Sequence, residues 1–220
     1  MKTLKIKSID SLINIEAGNI ENIIIENSKL YFSIVNSIII DDNDYLIYSI
    51  DNDNKDLEKY SLLITTPFDL NPNNKKILTA LYKKIDKEKH ILKINEELEI
   101  INYKIIKTLE TISLDLNQSM NFNTELDLVK LLSLYDFSFE DDCEEDLLNK
   151  LVFYIKANLE INNIDIVFCI DILRFLSQEE MEKLKRELEL LNICLINISF
   201  SSRVSSIKKS IVIDEDYCEF

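Results

Sequence analysis

Glycine and histidine are almost missing from this sequence, and tryptophan is absent. The 220 residues include one glycine, one histidine and two prolines. A loop that cradles phosphate groups needs several glycines, because backbone amides must approach the phosphates closely. With one glycine and no G-K-S/T motif, nucleotide hydrolysis is not expected. A histidine-dependent triad would have to use His90, whose place in a Lys/Glu-rich break between two predicted helices favours a surface position.

Cysteines are few and scattered. Cys143, Cys169, Cys194 and Cys218 lie far apart, and no C-x-x-C pair occurs. The Cys/His spacing of a zinc site is therefore missing. Cys169 and Cys194 lie in apolar, strand-like runs, which predicts buried thiols.

Long apolar runs are also missing. None approaches the roughly 18 residues that mark a membrane-spanning helix. The segment Met1–Lys7 lacks the apolar region of a signal peptide, so we expect a cytoplasmic protein. Apolar residues make up 46% of the chain, which is enough for a hydrophobic core. The length predicts one or two domains.

Apolar runs near both ends of the chain predict strands that alternate with helices, whereas the middle is predicted to be all helical. The predicted strands are Leu4–Lys7, Ile23–Ile25, Tyr45–Ile50, Ser61–Thr66, Asp165–Ile170, Ile193–Ile198 and Ile211–Ile213. Alternation in Leu4–Lys7 is typical of an edge strand, and Ser61–Thr66 is expected to be a core strand. Continuous apolar runs in the central strands indicate parallel pairing. We therefore predict an α/β domain formed by residues 1–70 and 162–220, with an α-helical domain, residues 71–161, inserted between them.

Two predicted helices begin at clear caps. Asn27 and Ser28 can cap a helix that runs to about Ile39, and Ser177–Glu180 is a capping box that opens a helix to about Leu191. The helices predicted for the middle of the chain are 74–89, 92–114, 125–134 and 144–159.

The first of these middle helices carries a distinct charge pattern. Residues 71–116 hold more lysines than acids, although the whole chain has a net charge of −15. Lys76, Lys83 and Lys87 are spaced by seven and four residues, so they form one stripe on the side opposite the apolar face. The stripe is about 16 Å long at about 1.5 Å per residue. DNA carries about one charge per 1.7 Å of axis, so the stripe could follow a phosphate backbone; the alternative is a solvated helix face.

The candidate site residues fall into two classes. The candidate DNA-binding residues are Lys75, Lys76, Lys83, Lys84 and Lys87, with Arg203, Lys208 and Lys209 as a second basic patch. Carboxylates are the ligands that calcium and magnesium prefer. The candidate metal ligands are Asp115, Glu125 and Asp127 in a polar loop and Glu140, Asp141 and Asp142 in an acidic run. The alternative for these acids is simple solvation.

Several strings, in their order, resemble a known family. They are Ile64–Asn71 leading into Lys76-Ile77-Leu78, the late strand Ile164–Ile170 and the terminal Ile213–Tyr217. The chain is similar over essentially its whole length to the CRISPR-associated Csn-two (Csn2) family, the small DNA-binding protein of type II-A CRISPR adaptation.

This resemblance implies a degenerate P-loop-like α/β head domain with an inserted α-helical leg. It further implies a homotetrameric ring, stabilised by calcium, that encloses double-stranded DNA in a lysine-lined channel, loads at free ends and ignores sequence. The implied role is non-catalytic support of spacer acquisition beside the CRISPR integrase pair and the RNA-guided nuclease. Amides replace the family's carboxylates in residues 117–123, which predicts fewer or displaced calcium sites.

Two hypotheses from other classes remain open at this point. In one, the protein is a structural scaffold whose lysines form salt bridges and whose apolar helix docks another protein. In the other, it is a metal-dependent nuclease that uses the acidic clusters, although no D-x-n-E-x-K type core is present.

Overall fold

The chain forms two compact units. A computed structural model describes residues 1–7, 10–40, 45–116, 120–140, 146–200 and 210–220. One unit, the sheet unit, comprises Met1–Pro72 and Asp141–Phe220, and the other, the helical unit, comprises Asn73–Glu140. None of the described helices is long and apolar enough to cross a membrane.

Among the described residues, strands occur only in the sheet unit. The strands are β1 Lys2–Ile6, β2 Leu12–Asn14, β3 Ile20–Ile25, β4 Leu46–Ile50, β5 Asp53–Lys55, β6 Ser61–Ile64, β7 Ile166–Ile170, β8 Cys194–Phe200 and β9 Ser210–Ile213. The α-helices are α1 Ser28–Ile39, α2 Lys75–Glu88, α3 Asn95–Leu114, α4 Leu128–Leu134, α5 Leu147–Leu159 and α6 Gln178–Leu190.

The first sheet is four-stranded and antiparallel, in the order β2-β1-β4-β5. Strand β1 pairs with β2 on one side and with β4 on the other, so the prediction of an edge strand at Leu4–Lys7 is wrong. The alternation has a different cause. Leu4 and Ile6 point into the core, whereas Lys5 faces solvent on an open sheet face. One solvated face is usual for an antiparallel sheet.

The second sheet is five-stranded, in the order β6-β7-β8-β3-β9, and all its neighbouring strands are parallel. The parallel pairing and the α/β class predicted from the sequence are confirmed. Strand β6 lies at the edge and pairs only with β7 among the described strands, so its side chains are mostly half-buried rather than central in the core.

Helices cover both faces of the parallel sheet. Alternate residues of β7 illustrate this: Ile166 and Phe168 lie in one apolar cluster together with α1 and the antiparallel sheet, whereas Val167 and Cys169 lie in another. The second cluster includes the buried faces of α5 and α6. Burial on both sides explains the continuous apolar runs. Cys169 and Cys194 are buried free thiols, as predicted.

The boundary of the helical unit differs from the prediction. Residues 71–161 were expected to form the insertion, but α5 belongs to the sheet unit. The reason is packing: Leu151 and Ile155 of α5 are fully buried in the cluster that covers the parallel sheet. The predicted caps are present, with Asn27 at the start of α1 and a complete capping box between Ser177 and Glu180 at the start of α6.

Candidate nucleic-acid interface

Helix α2 is fixed firmly within the helical unit. Its N-cap is Asn74, whose side-chain oxygen accepts a hydrogen bond from the Ile77 amide at 3.0 Å. Ile77 and Tyr82 are the buried residues of the helix, and α2 packs against α4. The Tyr82 hydroxyl donates to the carbonyl of Phe137. One side of α2 is therefore held against the unit, and the other side is free to present charge.

The free side presents lysines. Lys75, Lys76, Lys83 and Lys87 are exposed, whereas Lys84 is half-buried. A shallow groove of about 540 Å³ is lined by Lys75, Lys76, Thr79, Ala80 and Lys83. The structure therefore brings three of the five predicted α2 lysines to one groove and places Lys87 further along the same stripe.

Thr79 and Ala80, which line the groove between these lysines, were missed by the sequence interpretation. The Thr79 hydroxyl donates to the Lys75 carbonyl at 2.6 Å, so it is turned back onto the helix. Thr79 and Ala80 are short, and long lysine side chains on either side can reach past them. The four-residue spacing of Lys75, Thr79 and Lys83 was the available signal.

These lysines differ from Lys89 nearby in whether they form an ion pair. Lys89, just after α2, forms an ion pair with Asp86 at 3.0 Å. Lys75, Lys76, Lys83 and Lys87 form no ion pair with any other residue in the described part of the chain. Their ammonium groups are thus available to an external anion. Arg203, Lys208 and Lys209, the predicted second patch, lie outside the described residues.

The candidate metal ligands that the structure describes do not lie together. Among the described residues, no three histidine, cysteine or acidic side chains are placed to hold a metal ion together. Asp127 has a structural use instead: it caps α4 by accepting from the Lys130 amide at 3.1 Å, and its carboxylate also pairs with the Lys130 ammonium at 3.3 Å. The Lys130 amide is the main cause of the lowered pKa of Asp127, and the Lys130 charge adds to it.

The other described candidate ligands do not complete a metal site. Asp115 caps the end of α3, Glu125 lies in a turn closed by Asn123, and Glu140 is exposed. Asp141 and Asp142 lie outside the described residues. The described acids therefore do not fit a ready-made calcium site within one chain.

Helix α3 exposes an apolar surface. It spans 20 residues and buries none of them completely. Its exposed apolar side chains are Ile100, Ile101, Tyr103, Ile105 and Ile112. Exposed apolar area of this extent marks an interaction surface.

The chain was compared with known protein families and structures. The model of a family described as CRISPR-associated protein (Cas_Csn2) matches residues 40–217. No curated protein matches the chain at a significant level.

Among solved structures, the chain is similar to a nucleotide-free ATP-binding cassette from an ABC transporter, with 15% identity, a TM-score of 0.45, and coverage of 98% of this chain and 88% of the other. A putative ABC transporter ATP-binding protein from Pyrococcus furiosus aligns with 12% identity and a TM-score of 0.41 over 96% of this chain and 97% of the other. A bacterial Atm1-family ABC exporter with ATP bound aligns with 11% identity and a TM-score of 0.40 over 97% of this chain and 37% of the other.

Proposed function

Because this chain belongs to the Csn2 family of CRISPR-associated proteins, we propose that it binds double-stranded DNA without sequence specificity and thereby supports spacer acquisition in type II-A CRISPR immunity. It acts as a homotetrameric ring that loads at DNA ends. Its partners are the duplex, its own copies, the integrase pair and the RNA-guided nuclease. It performs no catalysis of its own.

The observation that carries this proposal is the stripe of exposed lysines on α2. Lys76, Lys83 and Lys87 are exposed on one helix whose other side is packed through Ile77 and Tyr82. An overall charge of −15 disfavours a general nucleic-acid coat. A local basic surface on an acidic protein still attracts phosphate, because the field that a ligand meets depends on the nearest charges. Contacts to phosphates position a protein on DNA without reading its sequence.

The scaffold hypothesis instead requires these lysines to be paired with acidic neighbours. The absence of such pairs for Lys75, Lys76, Lys83 and Lys87 within the described residues favours the DNA-binding alternative. The exposed apolar face of α3 is compatible with both hypotheses. In the ring, this face packs against another copy of the chain, and in a scaffold it docks a different protein.

Calcium enters the proposal only from the family resemblance. The described acids of one chain do not converge on a site. We therefore treat calcium as a variable of the experiment and assign it no step in DNA binding.

The decisive experiment is a gel shift with linear and covalently closed circular DNA of the same sequence, each in calcium and in chelator. A ring that loads at ends prefers the linear form strongly. Equal binding of both forms would replace the ring by an open groove, and calcium dependence of the linear complex would support the metal's role in assembly. Binding of neither form would reject DNA binding and leave the scaffold as the better hypothesis.

The same samples test the second rival. A metal-dependent nuclease degrades the linear DNA when magnesium is added. We expect intact DNA after prolonged incubation with magnesium, because the described acids form no cluster that could hold catalytic metal ions. Degradation that copurifies with the protein and is lost in a Glu125→Gln or Glu140→Gln variant would contradict the non-catalytic role.

A further inference from the structure

The sheet unit contains a cavity that DNA binding by α2 does not use. Its volume is about 540 Å³, and it is lined in part by the segment 67–71, which follows β6, and by Phe175, which follows β7. Strands β6 and β7 are parallel neighbours, so both segments leave the same edge of the sheet. The carboxyl edge of a parallel sheet is the usual place for ligands in α/β proteins, and the volume lies within the usual range of about 300–1,000 Å³.

Two phenylalanine rings that line this cavity are exposed to solvent. Phe68 is 87% exposed and Phe175 is 53% exposed. Their ring centroids are 6.2 Å apart in an edge-to-face arrangement. Exposing two phenyl rings to water is unfavourable, so their position beside a cavity points to an aromatic ligand. Because the two ring planes are inclined by 68°, a flat ligand would stack on one ring and meet the other at its edge.

Two cationic side chains lie near the rings. The Arg174 guanidinium lies 5.8 Å from the centre of the Phe175 ring, and Lys150 lines the cavity from α5. Neither forms an ion pair with another residue in the described ranges. The amide of Leu148 at the start of α5 is already bonded to the Asp146 carboxylate at 2.9 Å. That amide is thus occupied, and the cations nearest to an anion in the cavity are Lys150, which lines it, and Arg174, which lies beside Phe175.

One acid also lines the cavity. Asp69 is exposed, and no hydrogen bond or ion pair joins its carboxylate to another described residue. A carboxylate repels phosphate, but it accepts hydrogen bonds from the amino groups on base edges. Guanine, with amino and ring N–H donors together, offers the best partner, whereas thymine has no amino group.

We propose that this cavity binds a purine nucleotide, with the base stacked on Phe68 and against the edge of Phe175, its amino edge toward Asp69, and its phosphate toward Lys150 and Arg174. The nucleotide is either free or the unpaired end of a DNA strand. This inference goes beyond the proposed function, because it concerns another unit of the chain and a base rather than duplex phosphates.

The position is distinct from that of a phosphate-binding loop at the end of β3. There, the Asn27 side-chain oxygen accepts from the Lys29 and Leu30 amides at 3.1 Å and 3.0 Å. The Asn27 amide group donates to the Glu215 carbonyl at 2.9 Å. The amides that would otherwise meet a phosphate at this helix start are thus occupied by the chain itself.

The test is calorimetric titration of the full chain with dGMP, with dTMP and with inorganic phosphate. We expect dGMP to bind more tightly than the other two ligands. Phe68→Ser should weaken dGMP binding about tenfold or more, as loss of one stacking partner does. Phe32→Ser is the matched control, because Phe32 is also a surface phenylalanine, 68% exposed, on α1. Asp69→Asn should reduce the preference for dGMP over dTMP.

A second arm identifies the source of the nucleotide. A short duplex carries 2-aminopurine, whose fluorescence falls on stacking, in a single-stranded 3′ overhang. If quenching requires Phe68 and dGMP binds weakly, the cavity is assigned to strand ends. If dGMP binds tightly and no quenching occurs, the cavity is assigned to free nucleotides. No dGMP binding together with no quenching overturns the proposal, and so does equal binding by wild type and Phe68→Ser. A blunt duplex that binds normally to Phe68→Ser shows that duplex binding by α2 stands independently.

Discussion

The Tyr48 hydroxyl donates a hydrogen bond to the Asp165 carboxylate, with 2.6 Å between the two oxygens. Tyr48 lies on β4 of the antiparallel sheet, and Asp165 immediately precedes β7 of the parallel sheet. Lys2 of β1 binds the other carboxylate oxygen at 2.6 Å. Asp165 thus ties two strands of one sheet to the start of a central strand in the other. The two sheets are joined here by a charge-assisted network in addition to apolar packing.

Removing the Tyr48 hydroxyl should weaken this connection between the two sheets. We expect Tyr48→Phe to lower the free energy of unfolding by about 1.5–3 kcal/mol, the usual range for a hydrogen bond to a charged group. The ring of Tyr48 is fully buried, so Phe keeps its packing. Urea denaturation at neutral pH measures the difference, with Tyr217→Phe as a control at an exposed tyrosine. Equal stability of wild type and Tyr48→Phe would mean that Lys2 alone satisfies Asp165.

The same bond predicts a sensitivity to alkali. Burial raises the pKa of Tyr48 far above its ordinary value of 10.0, and the hydrogen bond to Asp165 and its charge raise it further. In the unfolded chain the tyrosine loses its proton near pH 10, while in the folded chain it keeps it. The unfolded state therefore binds fewer protons above that pH, and stability falls as pH rises. Between about pH 9 and about pH 11, wild type should lose more stability than Tyr48→Phe.

The single glycine is required by its surroundings. Gly18 has a φ of +75°, and a Cβ atom built on it would lie 2.9 Å from the Glu189 Cβ on α6. Gly18→Ala should therefore destabilise the protein by about 2 kcal/mol or more, from backbone strain and crowding together. Gly18→Asn separates the two causes, since Asn tolerates positive φ but still carries a Cβ. We expect Asn to be nearly as harmful as Ala in thermal denaturation; a stable Asn variant would show that crowding is unimportant.

Local patterns in the sequence were enough to identify most strands and helices. The run Ile166–Ile170 is apolar throughout because helices cover both faces of its sheet, and that property is visible without knowing its neighbours. The Lys76–Lys87 stripe was predicted for a similar reason, since helical periodicity alone decides which side chains share a face. Caps such as Ser177 depend on four consecutive residues and were equally visible.

Relationships between distant segments could not be predicted in this way. Strand β1 was expected at an edge because alternation reports one solvated face and does not report how many neighbours a strand has. Helix α5 was predicted as a helix, but nothing local indicated that it packs on the sheet unit. Lys84 was predicted to bind DNA together with Lys83. Consecutive residues are rotated by about 100° around a helix, however, and Lys84 is half-buried. The cavity between Phe68 and Phe175 joins segments that are remote in sequence.

A side-chain clamp holds the segment before α2. The Asn73 side chain donates to the Phe139 carbonyl at 3.0 Å and accepts from the Phe139 amide at 2.9 Å. Asn73→Asp keeps the acceptor but places a carboxylate oxygen against the carbonyl. We expect a loss of about 1 kcal/mol at neutral pH, because a half-buried carbonyl loses its hydrogen-bond donor. Partial recovery below about pH 4, where the carboxyl regains a proton to donate, would distinguish this cause from a packing defect. Asn121→Asp, at an exposed position, should behave as wild type in the same thermal scans.

Charge reversal on α2 tests the DNA-binding surface directly. The triple variant Lys76→Glu, Lys83→Glu and Lys87→Glu should abolish DNA binding without unfolding the chain, because these side chains are exposed and form no ion pair with a described residue. Circular dichroism checks the fold, and gel shift or fluorescence anisotropy with linear DNA checks binding. The matched control is Lys5→Glu, Lys29→Glu and Lys185→Glu, which makes the same change in net charge at exposed positions of the sheet unit.

The salt dependence of a milder triple variant, with Gln at positions 76, 83 and 87, shows whether the lysines touch phosphates or only attract DNA from a distance. Each neutralised phosphate contributes about 0.9 to the slope of log affinity against log salt, so loss of three contacts should reduce the slope by about 2.7 for each subunit on the DNA. A general loss of positive field would instead lower affinity equally in the matched control, Lys5→Gln, Lys29→Gln and Lys185→Gln. If the Gln variant keeps the wild-type slope, the α2 lysines do not contact phosphate, and the channel must be sought on another surface. A reduced slope with a normal control would assign the contact to this helix.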